Sequence, residues 1–245
     1  MKIAFFSTKS YTKEYFNRVG EGTGHEFKWL EPRLVAETAP LAAGCPAVCA
    51  FVNDEIDAAV LEILSRGGTR LVLLRSAGFN NVDLPAAERR GIVVARVPAY
   101  SPHAVAEHAV ALMLALNRHI PRAYQRVRDG NYELAGLLGF DMQPRTAGVV
   151  GTGAIGRIVA RILKAGFDMT VLAHDRTASP DLEALGVRYV GLDELYAASD
   201  IVTLHCPLTQ STWHMIDRDA VGKMKRGAML INTSRGALID TRAVI

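Results

Sequence analysis

The stretch AGVVGTGAIGRIVARILKAG, Ala147 to Gly166, predicts the fold because a short run of small and β-branched residues passes through three glycines into a helical pattern. Gly151 permits a tight turn after a strand, and Gly153 lets a pyrophosphate approach the backbone. Gly156 lets the helix pack close to the strand. Glycines also mark ordinary turns, but the strand–turn–helix context favours a dinucleotide site.

The residues that follow this turn predict how the nucleotide is held. The amides of Ala154 and Ile155, in the first helical turn, would face the phosphates, where the helix dipole favours negative charge. The next predicted strand ends at Asp175, whose carboxylate can accept hydrogen bonds from both adenosine ribose hydroxyls and repel a 2′-phosphate. This favours NAD over NADP, although Arg176 directly after it could accommodate that phosphate.

Short runs rich in Val, Ile and Phe alternate with stretches at helical spacing, which predicts an α/β protein with mostly parallel sheets. The predicted strands are Lys2–Phe6, Ala47–Phe51, Arg70–Leu74, Ile92–Ala95, Ala147–Val150, Met169–Ala173, Asp200–His205 and Ala228–Asn232. The predicted helices include Glu55–Arg66, Pro85–Arg90 and Ile155–Ala165. A longer helix opened by Ser101 and Pro102 separates the first four strands from the last four, which predicts domains over residues 1–100 and 101–245.

The composition limits the possible partners and compartments. Of the 245 residues 49% are hydrophobic, and 28 basic against 25 acidic residues give a net charge of +3, too small and dispersed to indicate a nucleic-acid partner. The longest apolar run, Ala109–Leu116, is too short to span a membrane. Three cysteines suggest no disulfide framework, and Cys45 and Cys49 lack the spacing of a zinc or redox motif. We therefore expect a cytoplasmic protein.

Five motifs in order make the chain similar to a known family. They are RSAGFNNVDL (Arg75–Leu84), VPAYSPHAVAEHAVALML (Val97–Leu114), GVVGTGAIG (Gly148–Gly156), HCPLT (His205–Thr209) and INTSRGALID (Ile231–Asp240). The chain resembles the NAD-dependent D-2-hydroxyacid dehydrogenases, most closely their D-lactate dehydrogenase branch, over essentially its whole length. The resemblance implies a flavodoxin-like substrate domain, a Rossmann-like NAD domain, an active site in the cleft between them, and a homodimer contacted through the long helix.

The resemblance also assigns roles to residues that bind the substrate. Arg235 would pair with the carboxylate of a small 2-keto acid such as pyruvate and polarise its keto oxygen, tasks that suit a planar guanidinium. Backbone amides of Ser76, Ala77 and Gly78 would hold the same carboxylate, with a plain turn as the alternative. The Tyr100 hydroxyl would join them, unless it is a half-buried structural tyrosine.

Two further loops would border the nicotinamide and its ribose. Thr233 and Ser234 precede Arg235, and Cys206 and Pro207 would form a wall of the cofactor site. His205 either contacts NAD or is a satisfied histidine at a strand end. His103 and Glu107 share a helical face, but their spacing with His108 does not match a metal helix, so we predict no metal.

Hydride transfer to a keto carbon creates an alkoxide that needs a proton. The family supplies it from a histidine paired with a glutamate, both downstream of the arginine that Arg235 matches. No histidine or glutamate follows Arg235 in this sequence. We therefore expect a C-terminally truncated chain, with the NAD domain incomplete and the substrate domain lacking its returning segment, and with little or no reductase activity by itself. The alternatives are a non-catalytic NAD-binding module and a non-functional truncated remnant.

Overall fold

The computed structural model describes residues 1–245, which form two compact units, Met1–Tyr100 and Ser101–Ile245. Each unit contains one five-stranded sheet in which every strand pair is parallel. Helices connect the strands, as parallel pairing requires. The predicted α/β class is therefore confirmed. The structure contains no helix with the length and apolar character needed to cross a membrane.

The first unit has strand order β2-β1-β3-β4-β5, which is the flavodoxin-like winding. Its strands are β1 (Lys2–Phe5), β2 (Glu26–Trp29), β3 (Ala47–Ala50), β4 (Leu71–Leu74) and β5 (Val93–Arg96), and its helices are α1 (Ser10–Gly20), α2 (Ala58–Arg66) and α3 (Leu84–Arg89). α2 begins after Asp57, whose side chain accepts a hydrogen bond from the Val60 amide. It buries Val60, Leu61 and Leu64 against the sheet because these residues share one helical face.

The second unit has strand order β10-β9-β6-β7-β8, so the chain winds outward from β6 first in one direction and then in the other. This is the order of a Rossmann fold. The strands are β6 (Thr146–Val150), β7 (Thr170–His174), β8 (Arg188–Tyr189), β9 (Ile201–Leu204) and β10 (Met229–Asn232). The helices are α4 (Pro102–Asn117), α5 (Ile120–Arg128), α6 (Ala154–Arg161), α7 (Pro180–Ala184), α8 (Leu192–Ala198), α9 (Arg218–Lys223) and α10 (Thr241–Val244).

Both faces of the second sheet are buried, because successive residues of a strand point to opposite sides. Val149 packs into one apolar cluster with Met113 of α4 and Leu163. Its neighbour Val150 packs into a second cluster with Leu195 of α8. The sheet is thus held on both sides, and its strand ends are fixed platforms for the loops that follow them.

All eight predicted strands are present, with ends that shift by at most one residue, but β2 and β8 were not predicted. Both are edge strands: β2 carries the exposed Glu26, and β8 has only two residues. The predicted helix over Glu55–Arg66 begins later, at Ala58, since Asp57 caps it. The helix predicted over Ile155–Ala165 ends at Arg161 and continues as a π-helical turn, Ile162–Gly166.

Candidate functional site

Four loops of the second unit leave the carboxyl ends of neighbouring parallel strands and therefore lie along one edge of the sheet. The glycine loop follows β6, and Asp175 follows β7. The loop that begins at His205 follows β9, and the loop that begins at Thr233 follows β10. β6 and β9 are neighbours from which the chain winds in opposite directions, and open α/β sheets bind ligands at such a switch point.

The glycine loop is packed tightly at two glycines and open at the third. Gly151 has a φ of +89°, and a Cβ there would lie 2.6 Å from the amide nitrogen of Cys206. A Cβ on Gly156 would overlap the carbonyl oxygen of Gly151. A Cβ on Gly153 would meet no atom within 4 Å, so space is left in front of its backbone. The loop and the first turn of α6, with Ala154 and Ile155, thus fit a pyrophosphate.

Asp175 is held against this loop by hydrogen bonds that the sequence did not reveal. Its Oδ2 accepts from the amide of Thr152 at 2.6 Å and from the Thr152 hydroxyl at 3.1 Å, and its Oδ1 accepts from the Arg176 amide at 2.7 Å. Burial, the largest single influence, favours the neutral acid, but the bonds from Thr152, Arg176 and Thr177 outweigh it and lower the pKa of Asp175. An ionised carboxylate here suits a ribose diol. The side chain of Arg176 is exposed.

His205 ends β9 with its ring inside the protein. Its Nε2 lies 2.9 Å from the Thr203 hydroxyl, and its Nδ1 is buried without a hydrogen-bond partner. Burial lowers the pKa of His205 to about 4, so the ring is neutral at pH 7. Next to it, Cys206 is half-buried with its Sγ 3.6 Å from the Sδ of Met215, and Pro207 is exposed.

The loop after β10 is shaped by Asn232, a residue that no sequence motif marked as functional. Its Oδ1 accepts from the Ser234 amide at 2.9 Å, and its Nδ2 donates to the Arg235 carbonyl at 2.8 Å. The Ser234 hydroxyl donates to the carbonyl of Leu204 at 3.0 Å, which ties the loop to β9. The Thr233 hydroxyl oxygen is buried without a partner.

Arg235 is half-buried and retains most of its donors for a ligand. Its Nη1 donates to the Ser234 carbonyl at 3.1 Å, and none of the ion pairs in the protein involves it. A guanidinium has five N–H donors in a planar fork. The arrangement therefore leaves this side chain able to form a bidentate pair with a carboxylate.

Four of the predicted site residues lie in the first unit. Ser76, Ala77 and Gly78 follow β4, and the buried Ser76 hydroxyl donates to the Gly78 carbonyl at 2.8 Å. Arg96 donates to the Ala77 carbonyl at 2.8 Å, so the loop is held by side chains from within its own unit. Tyr100 is 65% exposed, which contradicts the alternative of a half-buried structural tyrosine.

His103, Glu107 and His108 are exposed on α4. The structure contains no group of three or more His, Cys, Asp or Glu arranged to hold a metal ion.

Comparison with known proteins identifies the family. Residues 110–245 match the family described as D-isomer specific 2-hydroxyacid dehydrogenase, NAD binding domain. The chain is 51% identical over 245 residues to a 2-hydroxyacid dehydrogenase homolog of Schizosaccharomyces pombe, covering all of this chain and 74% of that protein.

Solved structures agree with the sequence comparison. The apo-structure of D-lactate dehydrogenase from Escherichia coli has a TM-score of 0.91 and 52% identity, and the match covers 100% of this chain and 77% of that one. D-Lactate dehydrogenase from Aquifex aeolicus, complexed with NAD and lactic acid, has a TM-score of 0.86 and 32% identity, with 99% and 72% covered. The predicted family and cofactor are confirmed. The chain therefore belongs to the D-isomer specific 2-hydroxyacid dehydrogenases, a family of NAD-dependent oxidoreductases.

Proposed function

We propose that the chain binds NADH at the carboxyl edge of its second sheet and belongs to an enzyme that reduces pyruvate, or another small 2-keto acid, to the D-2-hydroxy acid. The observation that carries the proposal is that one sheet edge presents the open glycine loop, an ionised Asp175 and an unpaired Arg235. The first two suit a dinucleotide and the third suits the carboxylate of the substrate.

The proposed roles divide between the two units. In the second unit, the amides around Gly153 hold the pyrophosphate and Asp175 holds the adenosine ribose. His205, Cys206, Pro207, Thr233 and Ser234 border the nicotinamide half. Bound NADH supplies the hydride. Arg235 holds the substrate carboxylate and polarises the keto oxygen, which stabilises the negative charge that develops there. In the first unit, the proposed substrate domain, the family resemblance assigns Ser76, Ala77, Gly78 and Tyr100 to the substrate carboxylate.

Proton transfer is the step that these residues do not supply. The alkoxide left by hydride transfer needs an acid that is protonated near neutral pH. His205 is the only imidazole among the proposed site residues, and burial lowers its pKa to about 4, so it holds no transferable proton at pH 7. We therefore propose that the 245-residue chain, by itself, binds NADH but reduces pyruvate slowly or not at all.

The test is to measure three quantities on the folded chain: NADH affinity by fluorescence titration, binding of the pyruvate analogue oxamate to the NADH complex, and NADH oxidation with pyruvate. We expect saturable NADH binding and turnover well below the range of about 1 to 1000 per second of ordinary enzymes. Arg235→Ala should leave the NADH affinity within about threefold, because the arginine contacts the acid, while oxamate binding falls at least about tenfold.

The matched control is Arg226→Ala, which removes an arginine from the turn before β10, at the opposite edge of the sheet. It should change neither affinity. Absence of NADH binding would disprove the cofactor assignment. Turnover at an ordinary rate would disprove the proposal that this chain lacks the proton donor, because one of its own residues would then have to protonate the alkoxide.

A non-catalytic NAD-binding module is the second candidate. It is favoured by the neutral state of His205 beside a complete glycine loop. It differs from the first candidate in the oxamate measurement, since the NADH complex of a module without a substrate site does not bind oxamate. A non-functional remnant would bind neither ligand and would show a broad thermal transition.

We also propose that the family form of the protein is a homodimer joined through α4 and α5. α5 has no buried residue, and its side chains Ile120, Tyr124 and Val127 are each more than half exposed. Leu116, near the end of α4, is 54% exposed as well. Exposed apolar side chains grouped on two helices in contact are typical of protein interfaces. Sedimentation velocity tests the proposal. A chain that stays monomeric at high concentration would show that this surface does not by itself form a dimer.

A further inference from the structure

Four residues of the second unit form a continuous chain of hydrogen bonds that ends on Asp175. The Ser179 amide donates to the Tyr189 hydroxyl at 3.0 Å, and Tyr189 donates to the Thr152 hydroxyl at 2.9 Å. Thr152 in turn donates to Oδ2 of Asp175 at 3.1 Å. This relay connects strand β8, the segment after β7 and the glycine loop. None of Thr152, Tyr189 and Ser179 has a role in the function proposed above.

The direction of the relay is fixed at both ends. A backbone amide can only donate, and an ionised carboxylate can only accept. Each hydroxyl between them must therefore accept one hydrogen bond and donate one, so the arrangement has no equivalent alternative. Thr152 is 4% exposed and Ser179 is 9% exposed, and in such surroundings hydrogen bonds in a chain strengthen one another.

The relay fixes the carboxylate of Asp175 in place. Both hydrogen bonds to Oδ2 come from Thr152, whose hydroxyl is itself oriented by Tyr189. A fixed carboxylate offers its charge to a ribose diol at no cost of reorganisation. The same fixed charge cannot rotate away from a phosphate on the 2′ position and repels it. A loosened carboxylate could turn aside, and the exposed Arg176 next to it could then pair with that phosphate.

We propose that Tyr189 and Thr152 are positioning residues that set the preference for NADH over NADPH by holding Asp175 against the glycine loop. This inference rests on the proposed binding of NADH at this edge. It assigns a task to Tyr189, which lies in a two-residue edge strand and need not touch the nucleotide to perform it.

The test compares the dissociation constants of NADH and NADPH for the full chain and for Tyr189→Phe, which removes only the bridging hydroxyl. NADH binding should weaken about 3- to 10-fold, the usual effect of losing one hydrogen bond between neutral groups. NADPH binding should hold or improve, so that the dissociation constant of NADPH divided by that of NADH falls. Tyr132→Phe is the matched control, because Tyr132 is 76% exposed, and it should leave both constants unchanged.

A second pair of variants keeps the inference testable if Tyr189→Phe does not fold. Thr152→Ser retains the relaying hydroxyl and Thr152→Val removes it at nearly the same volume. The serine variant should keep the NADH preference and the valine variant should lose it. In the double variant of Tyr189→Phe with Thr152→Val, the second change should add little, since both act through one carboxylate.

Equal weakening of NADH and NADPH by Tyr189→Phe would overturn the inference, because a merely structural tyrosine would act on both. An unchanged ratio in Thr152→Val would overturn it as well. Failure of the unaltered chain to bind either nucleotide would instead disprove the proposed function.

Discussion

The two units share parallel sheets and doubly wound topology, yet their carboxyl edges differ in chemistry. In the first unit the buried carboxylate is satisfied internally: Asp54 is 1% exposed and accepts from the Ser7 hydroxyl at 2.6 Å, the Leu34 amide at 2.9 Å and the Phe51 amide at 2.6 Å. One donor of this unit, Nε of Arg75, is buried without a partner. In the second unit the Thr233 hydroxyl and the His205 Nδ1 are buried without partners.

The difference arises in the first loop of each unit. After β1 and Phe6 the chain continues with Ser7, which has a φ of +49° and donates a hydrogen bond to Asp54. After β6 it continues with Gly151 and the open Gly153. A non-glycine residue with a positive φ needs support from its surroundings, which the hydrogen bond to Asp54 supplies here, whereas glycine needs none. The same winding thus yields a first loop held by its own side chains in one unit and an open first loop in the other.

The largest expected effect comes from Gly156→Ala in the second unit. The added Cβ would overlap the Gly151 carbonyl, so α6 must move away from β6. We expect the free energy of unfolding to fall by at least about 3 kcal/mol, and NADH binding to be lost. Urea unfolding followed by Trp213, the one tryptophan of this unit, measures the loss. Gly222→Ala in α9 is the control, since its Cβ would meet no atom. Equal stability of the two variants would contradict the close packing of Gly156 against the Gly151 carbonyl.

A smaller effect is expected from Asp54→Asn in the first unit. The amide group would place a donor against donors in a buried network, which costs about 2–3 kcal/mol. Trp29 reports unfolding of this unit, and NADH affinity should stay unchanged because the second unit is untouched. The control is Glu37→Gln, at an exposed position of the same unit. A loss of NADH binding without a loss of stability would break the distinction between the two edges.

The smallest effect concerns the pH dependence that His205 confers. Its folded pKa of about 4 lies below its ordinary value of 6.5, so the unfolded chain binds the proton more readily, and stability is lost as the pH falls below 6.5. Between pH 8 and pH 5.5 the loss should be about 1.4 kcal/mol. His205→Gln should abolish this pH-dependent loss of stability, whereas His103→Gln, at an exposed position, should leave it unchanged. Unfolding curves at both pH values measure the loss. The same change in unfolding free energy with pH for the unaltered chain and both variants would contradict the burial of the ring.

The sequence by itself predicted the α/β class, eight strands, the glycine loop and the carboxylate after β7, because these features depend on residues close together in the chain. Hydrophobic runs define buried strands locally, and three glycines within six positions define a turn. The edge strands β2 and β8 escaped prediction because short, partly exposed strands carry little apolar pattern.

Only the tertiary structure decided which polar groups meet. Thr152 and Tyr189 lie 37 positions apart in the chain. They meet because β8, which carries Tyr189, pairs with β7, and β7 pairs with β6, whose carboxyl end leads into the glycine loop. The neutral state of His205 and the internal closure of Asp54 are likewise products of burial, which no residue type encodes alone. Local pattern fixes the elements, whereas solvent exclusion and hydrogen-bond partners fix the chemistry of the groups between them.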